Sequence, residues 1–384
     1  MNACIQIMCA GFVFGAVSCA SQNRHDPSVS NSMYESPRRI VGYVTGRSEI
    51  WRIDPKKLTH INLAFAAVSE SGDVVLPNQS GERLAQLQAL KTRNPALKII
   101  VSVGGWGADH FSDAALNDES RDRFAKSVVT LIKRFELDGI DLDWEYPGQP
   151  GPGIKYREED KHNFTLLLKT IRQQLDHLSD QRHRGGADRY TLTIATADHE
   201  YFDHTEMNKL YVYVDWCNIM AYDFYNSLTT SAGHHAGLYR AATAPANSRW
   251  AEASVRQHLA AGIPPGKLVL GVAFYARAFS GIEKDPPVNQ PYAKYSGDYS
   301  YSRLVADFIN KNGFERRWDD VAQAPYLWNP TIREMISYDD PQSLSAKIKF
   351  INQYHLGGVM YWEESQDPQE RLLTVLYEGL AKSH

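Results

Sequence analysis

Four carboxylates stand within the ten residues from Asp138 to Pro147, at Asp138, Asp141, Asp143 and Glu145, and the residues between them are those of a buried strand. Side chains alternate across a strand, so Asp141, Asp143 and Glu145 share one face while Ile140, Leu142 and Trp144 take the other. Alternate residues on one face sit ~7 Å apart. Like charges at that spacing, withdrawn from water, do not all ionise, and at least one proton is retained near neutral pH. A carboxylic acid that keeps its proton beside ionised neighbours can act as a general acid. A solvated strand face or a salt-bridge cluster is the plainer reading of an acidic run. Against it, Asp and Glu each occur at roughly one residue in seventeen, so four at fixed offsets seldom arise by chance. Asp138 has the opposite parity and precedes the run, which suits a structural hydrogen-bonding role. Glu145, last in the strand, should lie nearest the mouth of whatever the strand lines.

Other chemistries find less support. His199 and His204 are five residues apart, off a common helix face, and the His234-His235 pair falls in a loop, so no metal and no cofactor is expected. The chain has no glycine-rich phosphate loop, Cys-x-x-Cys pair or Gly-x-Ser-x-Gly elbow. With 41 basic and 45 acidic residues interspersed and a formal charge of −4, it offers no basic stripe for nucleic acid and no polybasic segment for anionic lipid. A neutral substrate fits that surface, and no protein partner is implied. The 21 tyrosines and 8 tryptophans could cover the flat C–H faces of sugar rings, although most such residues serve a core.

The elements that must hold the acids read as repeated βα units. Short apolar runs mark eight strands at Arg39–Val44, His60–Ala66, Lys98–Val103, Gly139–Glu145, Thr191–Ala195, Trp216–Tyr222, Leu268–Phe274 and Gly358–Trp362. Helical periodicity covers Asp118–Phe135 and Glu158–Leu178, whose apolar faces should pack outside the strands. The pattern predicts an α/β fold, a (β/α)8 TIM barrel, with its chemistry at the C-terminal ends of the strands. The interval between the seventh and eighth strands is too long for a simple connection and is rich in Tyr, Pro and Gly. An inserted subdomain is therefore expected in that interval.

Residues 1–20 contain the apolar run Ile5 to Val17 followed by Ser18-Cys19-Ala20, which reads as a secretory signal, with 21–37 a polar tether. Cleavage after Ala20 and a lipoprotein-type anchor at Cys19 are both compatible with it, so the expected location is secreted or periplasmic, with or without lipid anchoring. Cys4, Cys9 and Cys19 all lie in that segment. Cys217 is then the sole thiol of the domain, in an apolar run, and no disulfide is expected there.

The run Asp138-Gly-Ile-Asp141-Leu-Asp143-Trp-Glu145 resembles the D-x-x-D-x-D-x-E signature of glycoside hydrolase family 18. Ser102-Val103-Gly104-Gly105 is similar to the family's S-x-G-G element, and Met220-Ala221-Tyr222-Asp223 to its M-x-Y-D element. Gly357-Gly358-Val359-Met360-Tyr361-Trp362 resembles its last barrel strand. The resemblance also implies that the inserted subdomain is a small α+β insertion over 276–336 forming one wall of a cleft, with the barrel itself spanning 38–275 and 337–381. The resemblance implies a chitinase-type hydrolase of β-1,4-linked N-acetylglucosamine polymers or oligomers, acting with retention through the substrate's own 2-acetamido group. It leaves open a relative that cuts glycoprotein or peptidoglycan glycans, or a sugar-binding lectin, although such lectins usually lack the acid at the position of Glu145.

By the same resemblance Glu145 is the acid and later the base, and Asp141 and Asp143 raise its pKa. Asp143 would also orient the acetamido group, and the Tyr222 hydroxyl would bond its oxygen. Trp362 would form the floor under the reacting sugar, with Asp223, Met220, Trp106 and Phe65 as further candidates around the cleft. Tyr275 and Arg277 resemble the family's Y-G-R element with Ala276 in place of glycine, which puts direct sugar contact by Arg277 in question. Ser102 would bond Asp141, and Gly104 and Gly105 would admit close backbone approach to the acids.

Overall fold

A computed structural model describes residues 38–381. The signal segment and tether, Cys19 included, lie outside the described residues.

Eight parallel strands close on themselves: Arg39–Val44, His60–Val68, Lys98–Gly104, Gly139–Asp143, Thr191–Thr196, Trp216–Ile219, Leu268–Ala273 and Gly358–Trp362. The first strand pairs in parallel with both the second and the eighth, which completes the (β/α)8 TIM barrel. Strand parity then divides the apolar residues into two layers. Outward residues such as Val101, Val103, Ile140, Leu142, Ile194 and Leu270 pack in the large core beneath the helices. Inward residues such as Val41, Ile100, Trp216, Val269 and Met360 fill the barrel with the site residues above them.

The helix Asp118–Phe135 begins where its sequence predicts. The Asn117 side chain accepts from the Ser120 N–H at 3.0 Å, and Ser120 Oγ accepts from the Asn117 N–H at 3.1 Å, a reciprocal cap that satisfies two otherwise orphaned donors. Phe124, Val128 and Ile132 on its inner face are fully buried. The second helix runs Asp160–Gln181, shifted slightly toward the C-terminus of its expected range.

Three strands are shorter than expected: the seventh ends one residue early, at Ala273, and the other two differences bear on the site. The fourth ends at Asp143, not Glu145: the Asp143 carbonyl makes the last ladder bond, to the N–H of Gly105 at 2.8 Å, and the residues beyond it are outside the sheet. Trp144 still takes the outer face, stacking on Phe111 at 5.3 Å. The sixth strand ends at Ile219: the Met220 N–H makes a last bond to the Thr196 carbonyl, and the Ala221 N–H folds back onto the Ile219 carbonyl. Alternation alone therefore does not place Glu145 or Tyr222.

Between the seventh and eighth barrel strands the chain makes a second, antiparallel sheet. Its five strands lie in the order Lys294–Ser300, Tyr275–Ser280, Glu334–Ser337, Ala324–Asn329, Glu315–Asp319. Strand Tyr275–Ser280 begins two residues after the seventh barrel strand ends, so this sheet rises directly from the barrel's C-terminal rim.

Candidate active site

Asp141 occupies the barrel axis, fully buried. Its carboxylate accepts four hydrogen bonds, each from a different strand: Tyr43 Oη at 2.9 Å, Ser102 Oγ at 2.7 Å, Thr193 Oγ1 at 2.5 Å and Asn218 Nδ2 at 3.2 Å. Burial raises its pKa, and the four donors oppose that rise. Ser102 therefore stands where expected. Tyr43, Thr193 and Asn218 were not singled out from sequence, and the one signal available was the inward parity of polar residues in otherwise apolar strands.

Asp143, one strand repeat further up, has no such support. Its Oδ1 is buried with no hydrogen-bond partner. Burial, then the charges of Glu145 and Asp141, push its pKa well above the usual carboxylate range. Glu145 follows past the strand end, and burial pushes its carboxyl up to about 7, with the Asp223 charge adding to the shift against a hydrogen bond from Tyr146. Among the described residues no cation pairs with any of these three acids. The arrangement holds a transferable proton near neutrality on the uppermost carboxyl of a crowded row.

Gly104 and Gly105 make that row possible. Both have left-handed φ values, 120° and 92°, and a Cβ on Gly104 would lie 2.1 Å from the Asp143 carbonyl oxygen. A Cβ on Gly105 would strike the Phe65 ring at 2.6 Å. The third strand thus approaches the acid strand and Phe65 more closely than any side chain allows.

The walls come from other strand ends. Trp362 closes the eighth strand, with its ring stacked on Phe65 at 5.4 Å between centroids and tilted against Tyr43 at 5.6 Å. Tyr222 sits with Met220 in the inner cluster, its hydroxyl 3.9 Å from Met360 Sδ and kept protonated by burial and then by the Asp143 charge. Trp106 is exposed beyond the third strand and meets the Tyr146 ring edge-on at 6.1 Å.

Asp223 faces the pocket from a left-handed backbone, φ 57°. Tyr275 Oη donates to Asp223 Oδ1 at 2.7 Å, and Arg277 donates from Nε at 2.8 Å and from a terminal nitrogen at 2.6 Å. Burial opposes its ionisation, but the neighbouring His235 imidazole and Arg277 guanidinium more than offset that and hold it below the usual carboxylate range. His235 Nδ1 lies 3.6 Å from Asp223 Oδ1, longer than a normal hydrogen bond. Arg277 is also committed to Tyr295 at 2.9 Å and Asp298 at 2.6 Å on the second sheet. It ties the barrel rim to that sheet.

Asp138 is separate from all of this. At the opposite end of the fourth strand it accepts from Lys91 Nζ at 2.6 Å, the Ile99 N–H at 2.8 Å and Arg184 at 3.0 Å. Cys217 is buried, and burial pushes its thiol up to about 12, so it is inert. Among the described residues no group of three or more His, Cys, Asp or Glu side chains is arranged to hold a metal ion. A surface groove of about 930 Å³ between residues 73–81 and the helix Asp118–Phe135 contains none of the site residues.

The model of the family described as "Glycosyl hydrolases family 18" matches residues 39–367. The chain is 36% identical to Chitinase A1 of Niallia circulans, over 89% of this chain and 58% of that protein. It is 30% identical to Chitinase B of Serratia marcescens, over 88% of this chain and 78% of that one. Among solved structures it is similar to a glycoside hydrolase family 18 N-acetylglucosaminidase from Paenibacillus barengoltzii, with a TM-score of 0.83 and 38% identity, covering 89% of this chain and 99% of the other. The chain thus spans somewhat over half the length of Chitinase A1 and nearly all of the N-acetylglucosaminidase.

Proposed function

Because this chain belongs to glycosyl hydrolases family 18, we propose that it hydrolyses chitin or N-acetylglucosamine oligosaccharides, with retention and with the substrate's acetamido oxygen as nucleophile. The observation that carries the reading is the position of the acids. All three hang from one strand and its extension, so they reach a sugar from one side, and the acid across the pocket, Asp223, is already ligated by Tyr275 and Arg277. A protein carboxylate is therefore not free to attack from the opposite face.

Glu145, with its carboxyl at about 7, donates its proton to the glycosidic oxygen as the bond breaks and takes one from the incoming water afterwards. Asp143, unpartnered at Oδ1, has the free capacity to accept the acetamido N–H there and so to orient the nucleophile. The Tyr222 hydroxyl, kept protonated, is a donor for the acetamido oxygen. Trp362, braced by Phe65 and Tyr43, forms an apolar floor for the sugar ring.

A product time course on acetylated chitin oligomers with resolution of the anomers tests this. The expected first product is the β anomer, and an initial α anomer would overturn the mechanism. The likeness to a solved N-acetylglucosaminidase supports a second reading, release of single sugars, within the same chemistry. The same time course separates them, since monomer as the sole early product belongs to that reading and dimers or longer fragments to the first.

A further inference from the structure

The four donors around Asp141 are not equivalent. Three are hydroxyls, on Tyr43, Ser102 and Thr193, and a hydroxyl can turn from donating to an ionised carboxylate to accepting from a protonated one. The fourth, Asn218, carries an oxygen and an NH2 group at opposite ends of a planar amide, and only its neighbours decide which way round it sits. Trp216, two residues earlier on the same inward face, makes that decision. Its indole Nε1–H donates to Asn218 Oδ1 at 3.0 Å, and an indole nitrogen can only donate. The amide nitrogen must then face the other way, toward Asp141 Oδ1 at 3.2 Å and Tyr43 Oη at 3.3 Å. Tyr43 Oη, already accepting from Asn218, turns its own hydrogen to Asp141 Oδ2 at 2.9 Å. Both oxygens of Asp141 are thereby committed as acceptors by a chain of bonds that starts at Trp216.

From this geometry we infer that Trp216 and Asn218 are positioning residues, which act through Asp141 by keeping it ionised and so place the proton retained by the Asp141–Asp143 pair on Asp143. Asp143 is the complementary half: its buried Oδ1 has no donor at all, so protonation there removes an unsupported charge. The titratable groups facing the pair are Glu145 beyond Asp143, the phenols of Tyr43, Tyr146, Tyr201 and Tyr222, and the Cys217 thiol, and burial keeps the phenols and the thiol protonated. None of these supplies a positive charge that could hold Asp143 ionised instead. Trp216 itself is fixed from below, with the Arg39 guanidinium 4.6 Å over its ring and His60 edge-on at 4.8 Å. A phenylalanine keeps an aromatic ring in that stack and removes the N–H, though its smaller ring leaves part of the indole's space unfilled.

The functional consequence rests on the reading of Glu145 and Asp143 given above, but the proton's position does not, and the two are tested separately. In protein labelled with carbon-13 at the Asp carboxyls, titration by NMR should show Asp141 ionised and Asp143 protonated near neutral pH. In Trp216→Phe the freed amide can invert, so the Asp141 signal should move toward the protonated form, and Asn218→Leu, which removes the donor with the same branching, should move it further. The acid limb of kcat/KM should rise by about one pH unit in both variants, with KM nearly unchanged. A wild-type protein with Asp141 protonated and Asp143 ionised overturns the inference, as do variants in which neither the carboxyl signals nor the acid limb moves. Expected signals in a protein that fails on every acetylated oligomer would sink the proposed function and leave this inference standing.

Discussion

One strand carries acids at both of its ends and treats them in opposite ways. At the bottom of the barrel Asp138 is only 6% exposed, yet Lys91, the Ile99 N–H and Arg184 surround it, and against the cost of burial they pull its pKa below the usual range. Five residues on, Asp143 is as deeply buried, meets no cation, and is pushed well above that range by burial and by two other acids. The residue type and the burial are the same, so what differs is which loops supply charge. The loops at the barrel's bottom bring Lys91 and Arg184 to Asp138, whereas the pocket end withholds cations from the acid row and commits the half-buried Arg277 to Asp223. Stability is built at one end and reactivity at the other.

The sharpest way to break this contrast is to neutralise one acid at each end. Glu145→Gln keeps the shape of the mouth but has no proton to give, so kcat on chitin oligomers should fall by about a thousandfold or more, roughly 4 kcal/mol of barrier. Oligosaccharide affinity should stay within about threefold, as measured by calorimetry. A variant that keeps its turnover would remove the distinction between the ends altogether. Asp138→Asn should do the reverse, leaving Lys91 and Arg184 without their counter-charge. Urea unfolding should report a loss of about 1–3 kcal/mol with kcat unchanged. A matching fall in kcat would mean that the bottom of the strand also serves the reaction.

How far this was legible in the sequence depended on whether position followed from local pattern. The eight strands and the two long helices were, because doubly covered strands are nearly continuous apolar runs and the helices carry period-3.6 faces. The opposite parity of Asp138 set it apart from Asp141 and Asp143, and the structure puts it among Lys91, the Ile99 N–H and Arg184 instead. What alternation could not reach was anything past a strand end, and Glu145 and Tyr222 both lie there, beyond the last ladder bonds of their strands. The partners of Asp141 were hidden for a different reason. Tyr43, Thr193, Asn218 and Trp216 come from three strands distant in sequence and meet only when the barrel closes. His235 was weighed only as a metal ligand, while its actual neighbour is Asp223, a contact made by the loop that follows the sixth strand.

A finer test asks whether the two ends respond to pH with opposite signs. Glu145 has its pKa raised from 4.5 to about 7 in the folded state, so the folded protein binds a proton that the unfolded chain has already lost between those values. Stability contributed by this group is therefore complete below about pH 4.5 and declines as pH rises to about 7, where the full cost of an ionised buried carboxylate is felt. Glu145→Gln escapes that cost. Its advantage over the wild type should be near zero at pH 4 and grow to on the order of 1–3 kcal/mol at pH 8, the lower end reflecting charge shared with Asp143. Asp138 runs the other way. Its folded pKa lies below the usual 3.8, so its contribution is full above about pH 4 and is lost as pH falls through the depressed value. The penalty of Asp138→Asn should accordingly be constant from pH 5 to 8 and shrink on acidification below about pH 4. Thermal unfolding of the three proteins across pH 3 to 8 reads both effects at once. Parallel curves for the two variants would show that the ends of the strand share one electrostatic environment, whereas curves that diverge from the wild type in opposite pH ranges would fix the division between them.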